Sequence, residues 1–152
     1  MNTKITKLDK INKFILMELP EFEYHDLNCY YTWMGDDGIM RTKVKSGARI
    51  KLEDAKANSE VVNSYQDHAP FPLIIDTTSV LSMSKDARDF LAIKNRETVI
   101  NGMAIIRNSL IGNMVANFYI RLSKPTVPVK LFRNEEDAKM WCDGLKTGRH
   151  EG

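Results

Sequence analysis

An α/β fold built on a mixed, mostly parallel sheet is the class this sequence predicts, and three observations predict it. Between 71 and 145 a short apolar run repeatedly ends in a polar cluster and gives way to a helical pattern: PLIID then SKDARDFLA, GMAIIRN then SLIGNMVANFYI, PVKLF then NEEDAKMW. Strands alternating with helices in this way pack as βα units. Ahead of them the chain reads as a hairpin followed by a helix. The third observation is size: 152 residues, 43% of them hydrophobic, suffice for one core without disulfides or a metal. The expected architecture is a single domain with a sheet of about five strands, an N-terminal hairpin and about four packed helices.

Residues 1–20 stand apart. Ile5, Leu8, Ile11 and Phe14 are spaced by three, and Lys4, Lys7, Lys10 and Lys13 precede each by one. At 3.6 residues per turn such stripes drift about 60° per step, so neither gathers on one straight face. The segment reads as a frayed or loosely docked helical extension, with a basic interfacial helix or a dimer contact as alternatives. Pro20 ends it. One domain over 21–147 and a disordered tail over 148–152 complete the expected organisation.

The hairpin follows. NCYYTWM is rich in strand-forming aromatics, Gly35-Asp36-Asp37-Gly38 supplies turn chemistry, and in IMRTKVK the set Ile39, Arg41 and Lys43 alternates with Met40, Thr42 and Val44. From 52 to 66, Leu52, Ala55, Ser59 and Val62 recur at helical spacing, with Glu53 and Asp54 in the first turn, where the macrodipole favours anions.

In the first βα unit a strand over 73–76 leads through Thr77, Thr78 and Ser79 to a helix that Ser84 can cap, with Ala87, Phe90, Leu91 and Lys94 on one face. The second has a strand over 100–106, interrupted by Gly102, and a helix over 109–122 that Ser109 can cap. That helix is apolar on nearly every side except for a ladder of Ser109, Asn113, Asn117 and Arg121, each four residues from the last. A buried helix showing one narrow polar stripe explains the ladder. Two carboxamides and a guanidinium in register also suit recognition of a partner's backbone or a polar head group. In the third unit Pro125 and Pro128 lead into a strand over 129–132. Asn134 caps a last helix with Glu135, Glu136 and Asp137 in its first turn and Ala138, Trp141, Cys142 and Leu145 on one face.

Hairpin, helix, then three strand and helix units is an order similar to the STAS domain, the SpoIIAA-like fold of anti-sigma-factor antagonists. PLIIDTTSVLSMSKDARDFLA, GNMVANFYIRLSKPTVPVKLF and EEDAKMW resemble a group of small bacterial proteins of unassigned function described as STAS/SEC14-like. That resemblance spans about residues 28–146 and is most specific over 117–132. In the antagonists it implies a phosphorylatable serine at a helix start within an Asp-Ser-Ser-Gly type motif. Here the corresponding stretch is Leu81-Ser82-Met83-Ser84-Lys85-Asp86, with serines but without the motif or its glycine. A phosphate on Ser84 would meet a helix N-terminus, which favours an anion, and capping alone accounts for the same serine.

Chemical signatures are absent from the sequence. His25, His68 and His150 have no paired or HExxH spacing, Cys29 and Cys142 form no CxxC, and neither GxSxG nor a phosphate-binding glycine run occurs. No cofactor and no metal are expected. Twenty-two Lys and Arg against twenty Asp and Glu leave a net charge of +2, too balanced to advertise nucleic acid or an acidic membrane. No apolar run reaches the roughly 20 residues of a membrane span, and free thiols without an N-terminal signal pattern suit the cytoplasm.

Ligands of open α/β sheets gather beyond the carboxyl ends of the strands. Asp76, Thr78, Arg107 and Ser109 fall there, and Ser82, Ser84, Asn113, Asn117 and Arg121 complete the candidate binding residues. No catalytic residue is assigned. The function expected is a non-enzymatic STAS-like interaction or regulatory module with a protein partner or a second copy of itself. The alternative is a small-molecule or lipid carrier, as the SEC14-like label implies.

Overall fold

A computed structural model of the chain describes residues 17–91, 99–107 and 127–146. The described elements are β1 (His25–Asp26), β2 (Tyr30–Met34), β3 (Met40–Val44), β4 (Ala48–Ile50), α1 (Leu52–Ser64), a 3-10 turn (Gln66–His68), β5 (Phe71–Asp76), β6 (Val80–Met83), α2 (Lys85–Leu91), β7 (Ile100–Ile106), β8 (Val129–Phe132) and α3 (Glu135–Lys146). The expected helix over 109–122 and the tail lie outside the described residues, as do residues 1–16.

Six strands form one sheet in the order β1-β2-β3-β5-β7-β8. β1, β2 and β3 pair antiparallel, whereas the β3–β5, β5–β7 and β7–β8 pairs are parallel. The mixed, mostly parallel sheet expected from the repeated units is therefore present, with one strand more than the five expected. The extra strand is β1, a two-residue edge too short to show a period. A second correction concerns 80–83, read from sequence as the approach to a helix. It is a strand, and it pairs in parallel with β4 as a separate two-stranded ribbon.

Local chemistry explains the main elements. The β2–β3 register runs from Tyr30 opposite Val44 to Met34 opposite Met40. Its turn closes through Gly35 N–H to Ile39 O at 2.9 Å and Gly38 N–H to Gly35 O at 3.0 Å, with Gly38 at φ 78°, where a side chain would be strained. All six residues of β5 are buried, as a parallel strand covered on both faces requires. In α1 the inward-facing Asp54 accepts the Lys51 N–H and an Asn28 Nδ2 hydrogen, each at 2.9 Å, so an acidic first-turn residue also fixes the helix to the strand connection. The caps anticipated from sequence form: Ala87 N–H donates to Ser84 Oγ at 3.2 Å and Asp137 N–H to Asn134 Oδ1 at 2.9 Å.

The sheet separates two apolar layers. Tyr30, Val44, Ile50, Ala55, Val80 and Ala87 pack together beneath α1 and α2, continuing into Met40, Val62, Phe71, Leu73 and Ile75. On the opposite face Trp33, Ile39, Ile74, Ala104 and Ile106 meet Ala138 and Cys142 of α3. Burial of side chains this large stabilises by about 1.5–3 kcal/mol each before entropy is counted. Gly102 has a packing role: a Cβ there would collide with Leu145 Cδ1, so the glycine lets α3 lie close on β7. Between the sheet and α1, Thr32 and Thr42 are fully buried with their hydroxyls 3.1 Å apart, and the Thr32 hydroxyl donates to Asn58 Oδ1 at 2.5 Å.

Candidate functional site

At the carboxyl ends of the parallel strands, Asp76 is 1% exposed and its oxygens are engaged within the chain. Oδ1 accepts the Thr78 N–H at 3.0 Å and the Thr78 hydroxyl at 2.7 Å, and Oδ2 accepts the Met17 N–H at 3.4 Å. Lys43, opposite Asp76 in the β3–β5 register, donates to Met17 O at 2.6 Å. Met17 is thereby held by both of its main-chain polar groups and is completely buried. Arg107 follows β7, whose Ile106 is paired with Asp76, and its N–H donates to Phe132 O at 3.0 Å.

The sequence-predicted residues thus divide. Asp76 and Thr78 are hydrogen-bonded to each other, with Arg107 at the end of the adjacent strand. Ser82 and Ser84 belong to the β6 ribbon and the start of α2, where the Ser84 N–H donates to Ile50 O at 2.9 Å and its hydroxyl oxygen caps the helix. Ser109, Asn113, Asn117 and Arg121 lie outside the described residues.

A different cluster emerges at the opposite end of β3. The Arg41 side chain is 8% exposed and makes four hydrogen bonds. Nη1 and Nη2 clasp the two oxygens of Asp37 at 2.9 and 2.7 Å, Nη1 reaches Ile39 O at 3.2 Å, and Nε donates to Glu135 Oε1 at 2.9 Å. Burial works against the charge of Arg41, but hydrogen bonds and attraction from Asp37 and Glu135 prevail and raise its pKa. Burial would push the Asp37 carboxyl up; the guanidinium and the Ile39 N–H hold it below the usual carboxylate range. Gly35 belongs to this arrangement, since a Cβ there would strike Arg41 Nη1 and Asp37 Oδ1.

Beside this cluster opens a cleft of about 170 Å³. Glu18, Pro20 and Phe22 line it from the segment before β1, Asp36, Asp37 and Glu135 from the hairpin turn and α3, and the buried Trp33 and Arg41 lie at its base. With the Arg41 charge answered by internal partners, the cleft sets the Trp33 ring beside that guanidinium at its base against carboxylate walls. Reading from sequence missed it: an arginine in a strand usually marks the solvent face. The available signal was that Arg41 shares its face with Ile39 next to a turn containing two aspartates.

The thiols are poorly disposed to nucleophilic chemistry. Cys29 is pushed up to about 11, first by burial and then by the hydrogen bond and charge of Asp54; burial takes Cys142 to about 12. Among the described residues no group of three or more His, Cys, Asp or Glu could hold a metal ion, and no helix is long and apolar enough to cross a membrane.

The topology defines a SpoIIAA-like α/β domain. A crystal structure of an uncharacterised protein from the DUF3478 family, with a SpoIIAA-like fold, from Shewanella loihica PV-4, superposes with a TM-score of 0.55. The match covers 82% of this chain and 99% of that one at 15% identity, a likeness of fold alone. Residues 32–146 match the model of DUF7793, a domain of unknown function, and the chain belongs to that family. No curated protein matches it.

Proposed function

We propose that this chain is a cytoplasmic, non-enzymatic STAS-like binding module that docks a protein partner. One observation carries the reading: Leu19, Phe22 and Tyr24, 37%, 46% and 40% exposed, fall in one short segment, and Phe22 lines the Arg41 cleft. Scattered exposed apolar residues need no explanation, but three gathered in one short, charge-flanked segment suit an interaction surface. The internally bonded Asp76 rim and the raised thiols are consistent with binding rather than group transfer. As a carrier pocket the cleft falls short of the roughly 300 Å³ at which small-molecule sites begin.

The test compares wild-type and Phe22→Ala protein as bait under native conditions, with light scattering on each to detect self-association. Reproducible recovery of the same partner, or formation of a dimer, lost on Phe22→Ala supports the reading. Identical recovery by both proteins, or a bound small molecule in native mass spectra with no protein partner, overturns it.

A further inference from the structure

We infer that the surface from Glu18 to Tyr24 recognises a lysine-rich, amphipathic peptide segment of its partner, a conclusion that rests on the binding-module reading and specifies its partner's chemistry. The segment alternates charge and apolar surface: Glu18, Leu19, Pro20, Glu21, Phe22, Glu23, Tyr24, all exposed except the half-buried Pro20. Among the described residues no cation is paired with Glu18, Glu21 or Glu23, and exposed Asp36 faces the same cleft.

An independent observation shows what such a surface takes. At the end of the segment, Asp26 forms an ion pair with Lys45, and that ammonium lies 4.6 Å above the ring centroid of Tyr31. Tyr24 meets the Tyr31 ring edge-on at 5.6 Å. The molecule thus already holds one lysine between a carboxylate and an aromatic face, in geometry suited to ion pairing and cation–π attraction together. The same two ingredients recur at Glu21, Phe22 and Glu23 without an internal lysine among the described residues. A basic segment supplies the complementary charge, and its apolar side chains cover Leu19 and Phe22 above the Trp33 base of the cleft.

The experiment titrates the full-length protein by calorimetry with two synthetic peptides of equal length, one carrying lysine and leucine at helical spacing and the other glutamate in place of every lysine. Each titration is run at about 50 mM and about 500 mM salt. The basic peptide is expected to bind, to weaken at least about tenfold at the higher salt, and to lose a comparable factor in Glu18→Gln/Glu21→Gln/Glu23→Gln and in Phe22→Ala. These side chains are exposed, and unchanged urea midpoints verify that the variants fold. Binding of the acidic peptide with equal strength, no binding of the basic peptide, or binding unaffected by both variants overturns the inference. A Phe22-dependent partner recovered under native conditions alongside a failed peptide titration would sink the lysine-rich chemistry and leave the module reading standing.

Discussion

Arg41 Nε lies 2.9 Å from Glu135 Oε1, a bond that joins the centre of the sheet to the first turn of α3 across 94 positions of sequence. Since the guanidinium is almost fully buried, removing it strands Asp37 and leaves Glu135 unanswered. Arg41→Ala is expected to destabilise by about 3 kcal/mol, at the low end for a broken buried pair because both carboxylates retain some solvent contact. Arg41→Lys keeps the charge but forfeits the paired fork and should lose about half as much. Urea unfolding measures both; a change below about 1 kcal/mol for Arg41→Ala would refute a structural role for the cluster.

Acid should weaken the protein through this cluster and through Asp54 of α1. Against the pull of burial, Arg41 holds the Asp37 carboxyl down, and the Asn28 hydrogen bond with the Lys51 N–H does so for Asp54. Groups depressed in the folded state stabilise it fully above their unfolded value of about 3.9, and lose that contribution as pH falls through the lower folded values. In that window the unfolded chain binds more protons, so stability falls with falling pH. Asp37→Asn should lower stability at pH 7 and flatten the decline below about pH 4 relative to wild type. Parallel curves for the two proteins would contradict the coupling.

Gly102 sets the distance between α3 and the sheet. Gly102→Ala is expected to cost about 1–2 kcal/mol by forcing Leu145 Cδ1 aside, and Gly102→Val more. Adding Leu145→Ala to Gly102→Ala should cost less than the two single losses combined. Strict additivity in that double-mutant cycle would show that the contact does not determine the cost.

Both thiols should be silent in the folded protein. With Cys29 4% and Cys142 0% exposed and pKa values about 11 and 12, a disulfide exchange reagent near pH 8 is expected to label neither, and to label both once denaturant unfolds the chain. Rapid reaction of either thiol under native conditions would contradict the buried placement.

What was legible in the sequence was local or strongly patterned. Ser84 and Asn134 each bond a backbone N–H three residues on, so the residue type and its place before a helical run suffice to find them. β5 announces itself as an unbroken apolar run because both of its faces are covered. β4 and β6 did not, since three- and four-residue strands are defined by their pairing across a helix and a further strand. The Arg41 cluster was hidden for the same reason. Asp37 is one turn away, but the second carboxylate and the covering helix come from the far end of the chain, and only the folded sheet brings Glu135 to a strand that sequence reading treated as ordinary alternation.

That distance has a consequence during biosynthesis. The cleft is walled on one side by residues near the start of the described chain and on the other by Glu135, while the C-terminal turn of α3 reaches the hairpin through Lys146 Nζ and the Asp37 carbonyl. A nascent or prematurely terminated product lacking α3 has the sheet's first strands but not the Glu135 wall of the cleft, so a complete cleft would report that synthesis has passed α3.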